Sequence, residues 1–183
     1  MSFRKQKYAR INSLLSEEEC ASFWEYTKQI EEQGLHDEQV PGAKSFYGDS
    51  KAENIMLDVQ KKIETVVGEE LLPTYAYFRI YKPGDELLPH TDRPACEVSA
   101  TVCMGYDGNP WPIHLLNDDC DVITNDLCVG DAIVYLGMDV EHWREKYVEG
   151  KRQVNIFLHY VKKNGLHAKE AYDGREKTNA GEE

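Results

Sequence analysis

Two imidazoles and a carboxylate, at His90, Asp92 and His142, are residue types that together can hold a transition-metal ion. This donor set suits non-haem Fe(II), because it occupies one face of the metal and leaves positions open for substrate and oxygen. In an extended strand, residues two apart project to the same side, so His90 and Asp92 can reach one ion. Pro89 favours that conformation, since its fixed φ and its effect on the preceding residue both oppose a helix. Arg152, ten residues beyond His142, adds a permanent planar cation shaped to grip a carboxylate. The competing readings are a surface turn for His-x-Asp, and an ion pair between Arg152 and one of the chain's 33 acidic side chains.

These residues need strands to position them. Tyr75–Tyr81 is rich in aromatic and β-branched residues and ends at the turn-forming Lys82-Pro83-Gly84-Asp85. Further strands are predicted over 97–104, 112–116, 120–124, 131–137, 140–144 and 153–161, the last with clear alternation. Short strands separated by Gly, Pro, Asn and Asp are the pattern of a sandwich or barrel. On the last strand Arg152, Val154, Ile156 and Leu158 share one face, while Gln153, Asn155 and His159 share the other. With the apolar set turned inward, Arg152 becomes a single charge on a greasy wall and requires an anionic partner. Tyr81 shares its face with Tyr75, Tyr77 and Arg79, and Tyr77 and Arg79 are candidate pocket residues.

Helices precede the strands. Ser16–Glu19 reads as a capping box opening a helix with Cys20, Phe23, Trp24, Thr27 and Ile30 at helical spacing, stopped near Gly34. A second box, Ser50–Glu53, opens a helix through Ile55, Met56, Val59, Ile63, Val66 and Val67, closed by Gly68. The intervening segment 36–49 carries turn formers with Phe46 and Tyr47, and reads either as an anchored surface loop or as a lid. The predicted architecture is one α+β, mainly β domain over 1–183. Helical support spans 14–68, a jelly-roll core 74–161, and a polar tail 162–183 that is loosely ordered beyond Tyr172.

The order and intervals of these motifs resemble the Fe(II)/2-oxoglutarate-dependent dioxygenases, most of all their prolyl-4-hydroxylase-like branch. The resemblance spans roughly 10–161 and is strongest from Tyr75 to Val161. It implies a double-stranded β-helix, with His90, Asp92 and His142 as iron ligands. It further implies Arg152, helped by Tyr81, as the holder of the distal carboxylate of 2-oxoglutarate. O2 is the implied oxidant, with ascorbate as a further reductant. The implied reaction hydroxylates a protein side chain such as proline, or a small molecule, releasing succinate and CO2. Where family members carry a Gly-Gly-Glu/Thr segment, this chain has Asn109-Pro-Trp-Pro-Ile-His114.

Composition narrows the setting. Lys+Arg 21 against Asp+Glu 33 leaves a net charge of −12, which argues against a nucleic-acid partner. The five cysteines, Cys20, Cys96, Cys103, Cys120 and Cys128, are odd in number and form no C-x-x-C pair, so a reducing, cytoplasmic setting is expected. No apolar run approaches the ~20 residues of a membrane span, and no secretory signal is read at the N-terminus. Ser99, Thr101 and Cys103 form a small polar face on their strand. Trp143 should point away from the metal as a support. His114 and His159 read as structural histidines, and His36 and His167 as solvated ones. Two further functions stay open: a non-catalytic jelly-roll binding protein with an inert metal site, and a cupin-like enzyme using Zn or Mn.

Overall fold

A long helix is set by its ends. In the computed structural model, which describes residues 3–181, α3 (Ser50–Val67) is capped by Asp49, whose carboxylate accepts from the Ala52 amide at 3.0 Å. It ends at Gly68, whose φ of 80° lets its N–H return to the Glu64 carbonyl. The N-cap is therefore Asp49 and not Ser50, and Glu53 is buried rather than completing a capping box. Ala52, Met56, Val59, Ile63 and Val67 recur on one buried face. α2 (Glu17–Ile30) begins with the capping box at Ser16 and Glu19, buries Cys20, Phe23 and Thr27, and gives way to a 3-10 turn ending at Gly34. A short α1 (Phe3–Gln6) precedes both.

The apolar faces of α2 and α3 cover one side of a six-stranded antiparallel sheet of order β1-β8-β5-β10-β3-β2. Its strands are β1 (Tyr8–Ile11), β2 (Lys44–Tyr47), β3 (Leu71–Tyr81), β5 (Val98–Tyr106), β8 (Ala132–Tyr135) and β10 (Gln153–Lys162). Val154, Ile156 and Leu158 from β10 pack there with Phe78, Ile80, Val102, Met56 and Ile63. A fully buried side chain of this kind contributes roughly 1.5–3 kcal/mol. A second antiparallel sheet, β4-β9-β6-β7, comprises β4 (Leu87–His90), β6 (Ile113–Leu116), β7 (Val122–Asn125) and β9 (His142–Arg144). The two sheets are those of a jelly roll, a mainly β core with helices on one outer face. Among the described residues no helix is long and apolar enough to cross a membrane. All five cysteines are free.

Two segments depart from the sequence expectation. Part of 36–49 forms the edge strand β2, paired with β3 and pinned by Phe46 stacked on Phe78 at 4.4 Å. The tail is ordered through Gly181 rather than loose beyond Tyr172. The buried Glu53 carboxylate demands partners, and Arg175 and the Asn179 amide supply them. Met1, Ser2, Glu182 and Glu183, at the ends of the 1–183 range, lie outside the described residues.

Candidate metal centre

β4 and β9 carry the two histidines to one place. His90 lies opposite His142 in the register, with ring centroids 4.2 Å apart. A bulge between Leu87 and His90 turns both inward, although they are an odd number of residues apart. Pro89 sits within that bulge on a sheet edge, where its missing N–H breaks no ladder. Asp92 follows the strand, anchored by its amide donating to the Gly137 carbonyl at 2.8 Å. Its Oδ1 is 3.8 Å from His90 Nε2 and 3.6 Å from His142 Nε2. All three donor atoms lie within 4.8 Å of one another, so one ion can reach them all.

The surroundings prepare these donors. His90 Nδ1–H donates to the Leu88 carbonyl at 2.8 Å and His142 Nδ1–H to the Val140 carbonyl at 3.0 Å. Both contacts fix the ring and leave each Nε2 lone pair free, as a metal ligand requires. Ser99 donates to Asp92 Oδ2 at 2.9 Å and also meets His159 Nδ1 at 2.9 Å. Burial holds His142 in its neutral, ligating form, with a pKa down to about 4. Burial, and then His142, likewise lower His90. Burial pushes Asp92 up to about 6, against the Ser99 hydrogen bond and His90. A carboxylate that burial would rather protonate gains most from a bound cation.

The triad lines a cavity of about 330 Å³. Tyr75, Tyr77, Arg79, Phe157 and His159 from β3 and β10 form its other wall. Arg79 is tied to Asp37 at 3.0 Å and to Gln39 at 2.6 Å, so segment 36–40 is bonded to the mouth. Arg93 at the rim forms a two-point pair with Asp173 of the tail, at 2.7 and 2.8 Å. Asp92, Cys96 and His159 are a second cluster of donors within 4.8 Å, sharing the same carboxylate. His114 stacks on Trp143 outside the triad and bonds Thr124, a structural role; Trp143 turns away from the ligands, as expected.

Arg152 is elsewhere. Its guanidinium bonds Glu31 Oε2 at 3.0 and 3.1 Å and Thr27 Oγ1 at 3.0 Å, and lies over the Trp24 ring at 4.4 Å. It belongs to the face of β10 that packs on α2, whereas the cavity is lined by the opposite face. The expectation that Arg152 meets a carboxylate beside the metal is corrected by this placement: the anion it demands is Glu31. Tyr81 does point between the sheets, fully buried and edge-on to Trp111 at 5.0 Å, and its hydroxyl has no hydrogen-bond partner. Sequence reasoning missed Arg144, which faces the interior beside His142 with 2% exposure. Its signal was available, because it stands two residues from the candidate metal ligand His142 on the same strand.

No family model matches this sequence, and no curated protein matches it either. Solved structures do. A Pseudomonas putida prolyl-4-hydroxylase superimposes with a TM-score of 0.70 at 14% identity, covering 87% of this chain and 95% of that one. The non-haem α-ketoglutarate-dependent epimerase SnoN from nogalamycin biosynthesis gives 0.75 at 10% identity, covering 87% and 78%. HygX from Streptomyces hygroscopicus, solved with nickel and 2-oxoglutarate bound, gives 0.70 at 11% identity, covering 88% and 85%. The chain has the fold of the iron- and 2-oxoglutarate-dependent oxygenases.

Proposed function

We propose that this protein is an Fe(II)- and 2-oxoglutarate-dependent oxygenase that hydroxylates a protein side chain, prolyl-like, or a small molecule. The observation that carries the reading is the His90, Asp92 and His142 cluster opening onto a cavity in this fold. Two nitrogens and one carboxylate oxygen on one side of an ion are the donor set of non-haem Fe(II) oxygenases. With 2-oxoglutarate and O2, bound iron supplies the oxidising power that places oxygen on a C–H bond, releasing succinate and CO2.

The chain's own residues do the rest. His90 and His142 would present Nε2 and Asp92 a carboxylate oxygen, with Ser99 holding the other oxygen in place. Leu87, Ile113, Tyr135 and Phe157 line the cavity and limit water around the reacting centre. Arg79, fixed by Asp37 and Gln39, and Arg93, fixed by Asp173, set the charge and shape of the entrance.

Anaerobic addition of Fe(II) and then 2-oxoglutarate should produce a visible metal-to-ligand absorption band. Admission of O2 should release succinate even without the proper substrate, at a reduced rate. Protein that binds one equivalent of Fe(II) yet shows neither band nor succinate would be an inert metal-binding jelly roll instead.

A further inference from the structure

Six buried side-chain polar atoms among the described residues have no hydrogen-bond partner, and three of them, Tyr81 Oη, Arg144 Nε and Asn155 Nδ2, belong to residues that face the space between the sheets. Their residues are 0%, 2% and 0% exposed. All three atoms are donors, so the missing group is an acceptor. Arg144 also brings a cation, and among the described residues no carboxylate pairs with it. Its one protein hydrogen bond runs from Nη1 to the Trp111 carbonyl, and its guanidinium lies over the Trp111 ring at 5.1 Å. A buried guanidinium without a counter-charge is costly, and a fold tolerates it where a ligand completes it.

The three donors belong together. Tyr81 is edge-on to the same indole that the Arg144 guanidinium covers. Asn155 sits between Arg79 and Cys103 in the sheet register, and its Oδ1 accepts from Gln153, which brackets the Trp111 backbone. The cluster is also one step from the metal centre: His142 and Arg144 share a face of β9, about 7 Å apart along the strand. That step suits a short chain held by the metal at one end and by a cation at the other.

We propose, on the oxygenase reading above, that Arg144 with Tyr81 and Asn155, and not Arg152, grips the far carboxylate of the 2-oxo dicarboxylate cosubstrate. Arg152 is left as the brace between β10 and α2. The Asn109–His114 segment then has a purpose, because Trp111 supplies the carbonyl and the ring against which Arg144 is held.

The test is calorimetric and needs no turnover. Ni(II)-loaded protein is titrated with 2-oxoglutarate and with 2-oxopentanoate, the same chain with a methyl in place of the far carboxylate. The wild type should favour the diacid by on the order of 100-fold. Arg144→Gln should erase that preference while leaving Ni(II) and 2-oxopentanoate affinity unchanged, and Arg152→Gln should keep it. Tyr81→Phe removes a hydroxyl that bonds nothing in the free protein. Its melting temperature should hold, while diacid affinity falls about tenfold; this variant decides the matter if Arg144→Gln does not fold. A preference untouched by Arg144→Gln and Tyr81→Phe, or lost in Arg152→Gln or Arg79→Gln, overturns the assignment and spares the oxygenase reading. Wild type that binds Ni(II) but neither acid overturns both.

Discussion

Glu53 is the most buried carboxylate held by the tail, and removing it tests whether residues 168–181 are part of the folded unit. The side chain has no solvent exposure; Oε1 accepts from Arg175 Nη2 at 2.7 Å, and Oε2 accepts from the Asn179 amide. Arg175 is only 21% exposed and also donates to the Thr74 carbonyl at 2.8 Å, so it cannot swing freely into water when its partner goes. Breaking a buried pair from one side costs about 3–5 kcal/mol, because the surviving charge is stranded. The partial exposure of Arg175 puts Glu53→Ala near the lower end, about 3 kcal/mol. For a chain of this length that corresponds to a fall in Tm of roughly 6–12 °C. The tail should also become cleavable by a protease under conditions where the wild type resists, since its ordering depends on these bonds. Most of the cost lies in the orphaned cation, so Glu53→Met with Arg175→Met should recover part of the loss. Scanning calorimetry of the three proteins is decisive. A Tm change below about 2 °C in Glu53→Ala, or a double variant no better than the single, would refute the reasoning.

The candidate metal centre gives two further expectations. Ser99→Ala removes the donor to Asp92 Oδ2 and should weaken Fe(II) or Ni(II) binding about 10–100-fold in a direct titration, with the fold intact by circular dichroism. Gly137→Ala would place a Cβ 2.5 Å from Asp92 Oδ2, with the Cys96 carbonyl closer still, so the ligand or the backbone must shift; metal affinity measured in the same titration should fall more than for Ser99→Ala. The mouth should respond to acid. Burial alone would raise Asp37, but hydrogen bonds from Ser45 and Tyr77 and the charge of Arg79 outweigh it and hold its pKa well below the ordinary 3.8. A depressed folded value means stability that is complete above the unfolded value and is lost as pH falls below it. Relative to the wild type, Asp37→Asn should be less stable at pH 7 by about 1–3 kcal/mol, and the gap should narrow between pH 4 and pH 2 in urea titrations.

Why the strands and the ligand triad could be read from the sequence, while the cation beside them could not, comes down to what alternation encodes. Periodicity divides β10 correctly into Val154, Ile156 and Leu158 on one face and Gln153, Asn155 and His159 on the other, but it carries no label saying which face looks into the barrel. Assigning the apolar face to the interior is sound for a sheet with one dry side. Here the sheet is covered on both sides, by α2 and α3 and by the second sheet, and the drier contact is with the helices. The side that faces the His90, Asp92 and His142 cluster is the polar one, as a face able to hold an ion has to be. That single inversion moves Arg152 out to Glu31 and leaves Gln153, Asn155, His159 and the β3 residues Tyr77, Arg79 and Tyr81 facing inward. The triad escaped the ambiguity because it was read from residue types and spacing rather than from the face of a strand, and the β4–β9 pairing brings its three donors together. The same logic applied one step further along β9, from His142 to Arg144, identifies a charge that periodicity on β10 could never reveal. β1 and β2 lie in segments that were not read as strands, and they are held by pairing with β8 and β3 rather than by a pattern of their own.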